Sequence, residues 1–107
     1  MKPRIMYIEN KGGNLTGSAR IGRVTFSKTG KSIYYQGQTF HRLPQGGFKS
    51  NYYEVKTQED YWISGPKKDG SDRLYGGRVP VEIDEDAREE SWTLIRELPD
   101  QKMKGTA

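Results

Sequence analysis

Turn-forming residues recur about every 8–12 residues as far as Pro80, a spacing that restricts the segments between them to short β-strands. Those segments are rich in isoleucine, valine and aromatic residues, which fit a pleated, half-buried surface. The predicted strands cover residues 4–9, 20–27, 32–36, 38–43, 51–55, 60–64 and 79–83. Short connections at 28–31, with Gly30 at positive φ, and at 56–59 indicate two hairpins. Pro80 indicates an edge position for the last strand.

After Asp84 the hydrophobic period changes from two residues to about 3.6, which indicates a helix over about residues 85–98. Together with Trp92, one face of that helix should pack against the sheet, and it consists of Ala87, Ser91, Leu94, Ile95 and Leu98. Asp84 is the expected N-cap, and Leu98-Pro99 should end the helix. Residues 100–107 are expected to form a disordered tail.

These elements predict one mainly β domain over residues 1–99, in which a small, curved antiparallel sheet carries a single C-terminal helix. The form that fits best is a partly open, SH3-like barrel capped by the helix. A chain of 107 residues can bury one modest hydrophobic core.

The composition excludes several kinds of site. The chain has no cysteine, so disulfides, thiolate metal sites and thiol nucleophiles are excluded. His41 is the single histidine, so any other protein ligands of a metal ion would have to be oxygen atoms. We expect neither a metal nor a cofactor. No apolar run is long enough to cross a membrane, and the N-terminus lacks an apolar signal segment. We therefore expect a cytoplasmic protein with no membrane partner.

Charge is sorted along the chain. Residues 1–53 hold nine Lys/Arg and one acid, Glu9, for a net charge of 9 − 1 = +8. Residues 79–101 hold eight acids against Arg88 and Arg96, for 2 − 8 = −6, and the segment between them is balanced. A lobe of one sign raises the local concentration of an oppositely charged partner. The acidic segment is interpreted as a solvated helix face that could also neutralise the basic lobe, within the molecule or across a dimer.

Aromatic doublets interleave with the basic residues at Tyr34-Tyr35, Tyr52-Tyr53 and Tyr61-Trp62. Successive strand residues point to opposite faces, so each doublet should place one ring in the core and the other outside. An outer ring among cations is a surface on which single-stranded bases stack, although both rings of a doublet can equally be structural. The predicted binding residues are Arg20, Arg23, Lys28, Lys31, Tyr34, Tyr35, Lys49, Tyr53, Lys67, Lys68 and Arg73.

Four further motifs contain residue types that could support binding or catalysis. The glycine-rich residues 11–17 lack the lysine and following helix of a phosphate-binding Walker loop, and they read as an ordinary loop. Residues 67–73 (KKDGSDR) fit a plain turn or a partner-contacting loop better than a metal site. His41 has no triad partner at a recognisable spacing and is interpreted as a surface or packing residue. The acids of 84–90 fit a solvated helix face and a capping device better than a catalytic carboxylate pair. No catalytic residue is predicted.

Eight short motifs of this sequence form a recognisable set: residues 3–5 (PRI), 7–9 (YIE), 21–22 (IG), 26–31 (FSKTGK), 33–35 (IYY), 61–65 (YWISG), 67–70 (KKDG) and 72–73 (DR). In these motifs the sequence resembles a family of short, uncharacterised bacterial proteins, and the likeness extends over about residues 2–98. No activity is established for that family, so the resemblance implies none. Some members carry the name 1-deoxy-D-xylulose-5-phosphate synthase.

That name does not suit this chain. A thiamine-dependent synthase has domains several times this size, with a Gly-Asp-Gly metal motif and a downstream asparagine. Here Lys68 precedes Asp69-Gly70, and the asparagines, Asn10, Asn14 and Asn51, all lie upstream.

The sequence thus predicts a small binding module without enzymatic activity. Its preferred ligand is RNA or single-stranded DNA, bound on a basic, aromatic sheet face. The alternative is a protein-interaction or self-associating module that docks an acidic surface, such as the helix of a second copy.

Overall fold

Six antiparallel strands close into a barrel in the computed structural model, which describes residues 2–11, 19–44, 50–66, 81–98 and 105. The strands are β1 (Arg4–Asn10), β2 (Ala19–Phe26), β3 (Ser32–Tyr35), β4 (Gln38–Arg42), β5 (Tyr52–Glu54), β6 (Asp60–Ser64) and β7 (Val81–Ile83). Their order is β1-β6-β5-β4-β3-β2, and pairing of β1 with β2 closes the ring. The mainly β prediction is confirmed, and the barrel is closed rather than partly open.

Closure depends on the length of β2. Its residues from Ala19 to Val24 pair with β1, and its last two residues, Thr25 and Phe26, pair with β3. The first residues of β2 also carry β7, which runs parallel to β2 outside the barrel. The predicted edge position of β7 is confirmed, whereas its parallel direction differs from the antiparallel sheet that we expected.

Three tight turns set the register of the middle strands. Gly30 has a φ of 78° in the β2–β3 turn, as predicted. Gln36 and Gly37 both have positive φ between β3 and β4, a pattern typical of a two-residue hairpin turn. In the β5–β6 turn the carboxylate of Glu54 accepts hydrogen bonds from the backbone N–H groups of Lys56 and Thr57. Both predicted hairpins are confirmed.

Two hydrophobic clusters use opposite faces of β1. The barrel core contains Met6, Ile8, Val24, Ile33, Tyr35, Phe40, Tyr52, Tyr61 and Ile63. The outer core contains Ile5, Tyr7, Ala19, Ile21, Ile83, Ala87 and Trp92, with Trp62, Val81 and Ile95 packed at its edge. Because alternate residues of a strand point to opposite faces, β1 is apolar on both sides. The C-terminal segment therefore covers the outside of the barrel at β1 and β2.

The C-terminal helix runs from Glu85 to Ile95, but it is not a uniform α-helix. It comprises a 3₁₀ turn (Glu85–Ala87), an α turn (Arg88–Glu90) and a π turn (Ser91–Ile95). Each type of turn has its own number of residues per turn, so the buried face does not follow a constant 3.6-residue period. Within the described residues, no helix is long and apolar enough to cross a membrane.

The predicted packing face of this helix is partly wrong. Ala87 and Ser91 are buried and Ile95 is half-buried, but Leu94 is 74% exposed and Leu98 is 45% exposed. Trp92 is buried and packs in the outer core, as predicted. The π turn, in which Arg96 N–H donates to Ser91 O at 2.9 Å, rotates Leu94 away from the barrel.

Both ends of the helix also differ from expectation. Asp84 occupies the N-cap position but makes no side-chain capping hydrogen bond. At the other end the π turn finishes at Ile95, and Glu97 takes a positive φ of 57° before Pro99 is reached. Of the predicted tail, Gly105 lies beside β7, where its carbonyl accepts a hydrogen bond from Ile83 N–H at 2.7 Å. The remaining tail residues lie outside the described part of the chain.

We expect Leu94→Ala to change the free energy of unfolding by less than about 0.5 kcal/mol, because the side chain is already in solvent. Trp92→Ala should cost about 3–5 kcal/mol, since it leaves a large hole in the outer core. Denaturant unfolding of both variants measures the difference. Equal losses would mean that Leu94 is the packed residue after all.

Candidate functional site

The predicted binding residues separate into two groups on the barrel. Arg20, Arg23 and Tyr35 lie beside the acidic C-terminal segment. Lys28, Lys31, Tyr34 and Tyr53 lie on the turn and strands that this segment leaves uncovered. Lys49, Lys67, Lys68 and Arg73 fall outside the described residues.

The two arginines of the first group already form ion pairs with carboxylates of the same molecule. The Arg20 guanidinium lies 2.6 Å from Asp84 Oδ1 and 2.6 Å from Glu82 Oε2. Arg23 lies 3.2 Å from Glu90 Oε1. The acidic segment therefore neutralises part of the basic lobe within one molecule, one of the two arrangements that the charge pattern left open. A phosphate would have to displace these carboxylates to reach either arginine.

Tyr35 belongs to the same network. Its ring is buried in the barrel core, and its hydroxyl donates to Asp84 Oδ2 at 2.5 Å. Burial, followed by the hydrogen bond to Asp84, raises the pKa of the Tyr35 hydroxyl. The hydrogen bond to Asp84 likewise raises the pKa of the Arg20 guanidinium. Tyr35, which the sequence places among the binding residues, is thus a core residue that is 6% exposed and offers little ring surface to a base.

Gly22 makes room for this network. A Cβ built on Gly22 would lie 2.6 Å from Tyr35 Cε1 and 2.8 Å from Tyr35 Oη, and would also meet Asp84 Oδ2. Any side chain at this position would push the tyrosine and the carboxylate apart. The glycine is therefore required by the close approach of these two groups.

One more cation of the basic lobe, Lys11, is buried in an ion pair and is not exposed on the surface. Lys11 Nζ lies 2.6 Å from Glu9 Oε2, and both side chains are fully buried. Tyr7 donates its hydroxyl to the other oxygen of Glu9 at 2.5 Å. The sequence pattern predicts a loop at Lys11 and does not indicate its burial. The available signal was the i, i+2 spacing of Tyr7, Glu9 and Lys11, which puts all three side chains on one face of an extended segment.

Two residues of the second group, Lys31 and Tyr53, line an open groove of about 750 Å³ at one end of the barrel. The β2–β3 turn forms one wall, and the adjoining ends of β4 and β5 form the other. The described lining residues are Ser27, Thr29, Gly30, Lys31, Ser32, His41, Arg42, Tyr52 and Tyr53, and none of these is acidic. Lys28 is exposed on the same turn.

Strand register fixes the floor of this groove. Ser32, His41 and Tyr53 are paired across β3, β4 and β5, and Asp60 on β6 follows next in the same row. The His41 and Tyr53 rings meet edge to face, with centroids 5.8 Å apart. Sequence reasoning treated His41 as a surface or packing residue, because cross-strand pairing cannot be read from a lone histidine.

Arg42 forms the rim of the groove beside Tyr52. Its guanidinium carbon lies 5.7 Å from the centroid of the Tyr52 ring, and Nη1 donates to the Tyr52 hydroxyl at 3.5 Å. Tyr52 is itself buried in the barrel core, so a rigid ring supports one side of an exposed cation. Arg42 was absent from the predicted binding residues, although its charge was visible in the basic lobe.

The expected division between core and exterior is confirmed for the doublets Tyr34-Tyr35 and Tyr52-Tyr53, and only in part for Tyr61-Trp62. Tyr35, Tyr52 and Tyr61 are buried, whereas Tyr34 is 41% exposed and Tyr53 is half-buried. The outer ring of the third doublet, Trp62, packs against the outer core. Of the three outer rings, Tyr34 and Tyr53 are therefore the two that face the surface near the groove.

Among the described residues, no group of three or more histidine, aspartate or glutamate side chains is placed to hold a metal ion. Comparison with known proteins finds no matching family model, no matching curated protein and no matching solved structure. Any functional conclusion therefore depends on the geometry and charge of the groove itself.

We expect Gly22→Ala to destabilise the protein by about 1–3 kcal/mol, because the new methyl group overpacks the Tyr35–Asp84 contact. Gly65→Ala is the matched control, since a Cβ there meets nothing within 4 Å; its effect should stay within about 0.5 kcal/mol. Thermal unfolding of both variants tests the contact. Similar melting temperatures for the two would contradict it.

Tyr35→Phe should lose about 1.5–3 kcal/mol at neutral pH, the usual value of a hydrogen bond to a charged group. Because the pKa of Tyr35 is raised in the folded state, the native protein binds more protons than the unfolded chain above about pH 10. The free energy of unfolding of the wild type should therefore fall as pH rises through that range. The difference in unfolding free energy between the wild type and Tyr35→Phe should become smaller.

Urea unfolding at neutral and alkaline pH measures this difference in unfolding free energy. Tyr34→Phe is the control, because it removes the hydroxyl of an exposed tyrosine. A difference in unfolding free energy that stays constant above about pH 10 would show that the pKa of Tyr35 is not raised in the folded state.

Proposed function

We propose that this protein binds single-stranded nucleic acid through the groove and the neighbouring outer face of β3, β4 and β5. One observation carries the proposal: Lys31 and Arg42 line the groove beside two tyrosine rings, with no acid among its described lining residues. Cations of this kind track a phosphate backbone, and aromatic rings accept bases of any sequence.

The distribution of charge favours this groove over the surface at Arg20 and Arg23, which the sequence also predicts to bind the ligand. The groove beside Arg20 and Arg23 also contains Asp84, Glu85 and Asp86, which repel phosphate. Lys28, Lys31 and Arg42 have exposed side chains away from that segment. A strand bound there would gain the counterion release that dominates nucleic-acid affinity.

The outer rings supply the second kind of contact. Tyr34 pairs with Thr39 on β4, and His41 two residues further along pairs with Tyr53 on β5. Residues two apart on a strand share a face, so Tyr34, His41 and Tyr53 lie on the same side of the sheet. A single strand crossing β3 to β5 can therefore stack bases on two tyrosines, whereas the bases of a duplex are already stacked on one another.

The proposal describes a binding module of the cytoplasm without catalytic activity, related to the short bacterial proteins that its sequence resembles.

Self-association is the second candidate, and one observation favours it. Leu94 is 74% exposed and lies beside Glu89 and Glu90 on the acidic helix. An acidic surface with an apolar centre complements the basic groove of a second copy. In that case the molecular mass in solution should rise with protein concentration.

We expect the affinity for a short, mixed-sequence single-stranded oligonucleotide to fall linearly on a log–log plot against salt concentration. Lys31→Ala should reduce the magnitude of that slope by about 0.7, the value for one phosphate contact on a single strand. Tyr34→Leu should weaken binding by about 1–3 kcal/mol with the slope unchanged, because stacking releases no counterion. Fluorescence anisotropy over a salt series measures both.

Lys56→Ala is the charge-matched control, since Lys56 is exposed in the β5–β6 turn and does not line the groove. An equal change of slope in Lys56→Ala and Lys31→Ala would mean that attraction is non-specific. No binding by the wild type at about 50 mM salt would reject nucleic-acid binding and favour self-association.

A further inference from the structure

We propose that the groove is a site for one nucleotide, whose phosphate lies between Lys31 and Arg42 and whose base lies against Tyr53. The inference rests on the proposed function, because the same groove is the contact for the strand. It adds a ligand class, the nucleoside 5′-monophosphate unit, and predicts that such a unit binds without the rest of the strand.

The phosphate end is defined by two different elements. Lys31 comes from the β2–β3 turn and Arg42 from the end of β4, and both line the same groove. Arg42 rests against the buried Tyr52 ring, which limits the conformations of its planar guanidinium. A guanidinium held in this way can bind two phosphate oxygens at once, as a lysine cannot.

Hydroxyl groups complete the polar wall. Ser27, Thr29 and Ser32 line the groove beside Lys31. The Ser27 oxygen accepts a hydrogen bond from Ser32 N–H at 3.0 Å, which leaves its hydroxyl hydrogen free to donate. Neutral donors close to two cations are suited to the non-bridging oxygens of a phosphate.

The base end lies further along the floor. Ser32, His41 and Tyr53 occupy one row across three strands, which spans about 10 Å at the usual strand spacing. His41 meets Tyr53 edge to face and so holds that ring in place. Beyond Tyr53 the next residue in the row is Asp60, an acid that would oppose a second phosphate.

The size of the groove also indicates one unit. Its volume of about 750 Å³ lies in the range of small-molecule sites, about 300–1,000 Å³. The neighbouring surface at Arg20 and Arg23 carries three acids, so the favourable potential does not extend in that direction. Remaining nucleotides of a strand would contact the outer face at Tyr34.

Competition against a bound, labelled oligonucleotide tests the inference with adenosine 5′-monophosphate, adenosine and inorganic phosphate as three separate probes. The monophosphate should displace the oligonucleotide. Adenosine and phosphate should each need at least about tenfold higher concentration, because losing either half of the ligand removes about 1.4 kcal/mol or more.

Arg42→Lys keeps the positive charge but removes the planar guanidinium. It should therefore lower the affinity for the monophosphate about tenfold or more. Lys56→Ala is again the control and should leave all three probes unchanged. Chemical-shift changes of His41 and Tyr53 on adding the monophosphate, recorded without any oligonucleotide, give a second and direct measurement.

Two results would overturn the inference while the proposed function stands. In one, the oligonucleotide binds but the monophosphate neither displaces it nor shifts His41 and Tyr53. In the other, inorganic phosphate competes as well as the monophosphate, which would make the groove a simple anion site. If the wild type does not bind the oligonucleotide and the monophosphate causes no shifts, both proposals fail.

Discussion

The carboxylate of Asp84 connects the two hydrophobic cores. It accepts a hydrogen bond from Tyr35, whose ring lies in the barrel core, and it pairs with Arg20 on β2. The backbone N–H of Asp84 also donates to Ile21 O at 2.9 Å. Because Asp84 directly follows β7 and precedes the C-terminal helix, these bonds fix the point at which the chain turns over the outside of the barrel. The positions of Ile83, Ala87 and Trp92 in the outer core depend on that point.

The same contact decides where positive charge remains. Arg20 and Arg23 form ion pairs with the acidic segment, and Lys11 is buried in an ion pair with Glu9. The basic half of the sequence is consequently not a uniformly basic half of the molecule. Exposed cations persist where the C-terminal segment does not reach, at the β2–β3 turn and the rim of β4. This asymmetry is the physical basis for placing a ligand at one end of the barrel.

Much of the barrel could be predicted from local chemistry. Gly30 marks a turn because a positive φ is costly for other residues, and doublets such as Tyr34-Tyr35 divide between two faces because strand side chains alternate. The helix prediction succeeded for its start and its burial of Ala87, yet it failed at Leu94. The prediction used a constant 3.6-residue period, whereas the helix contains a π turn over Ser91–Ile95 in which Trp92 is buried. The candidate site was predicted by residue type but only in part by position, since Arg42 and His41 join it through strand pairing.

The sequence by itself determined the class of fold, the two hairpins and which kinds of side chain would be available for binding. These follow from short-range effects: backbone preference, alternation and turn chemistry act within a few residues. Only the tertiary structure decided that β1 pairs with β2 to close the barrel, that Asp84 binds Tyr35 and Arg20 instead of capping its helix, and that Lys31, Arg42 and Tyr53 share one groove. Each of these joins residues distant in the chain, and the choice among possible partners depends on burial and charge neutralisation across the whole molecule.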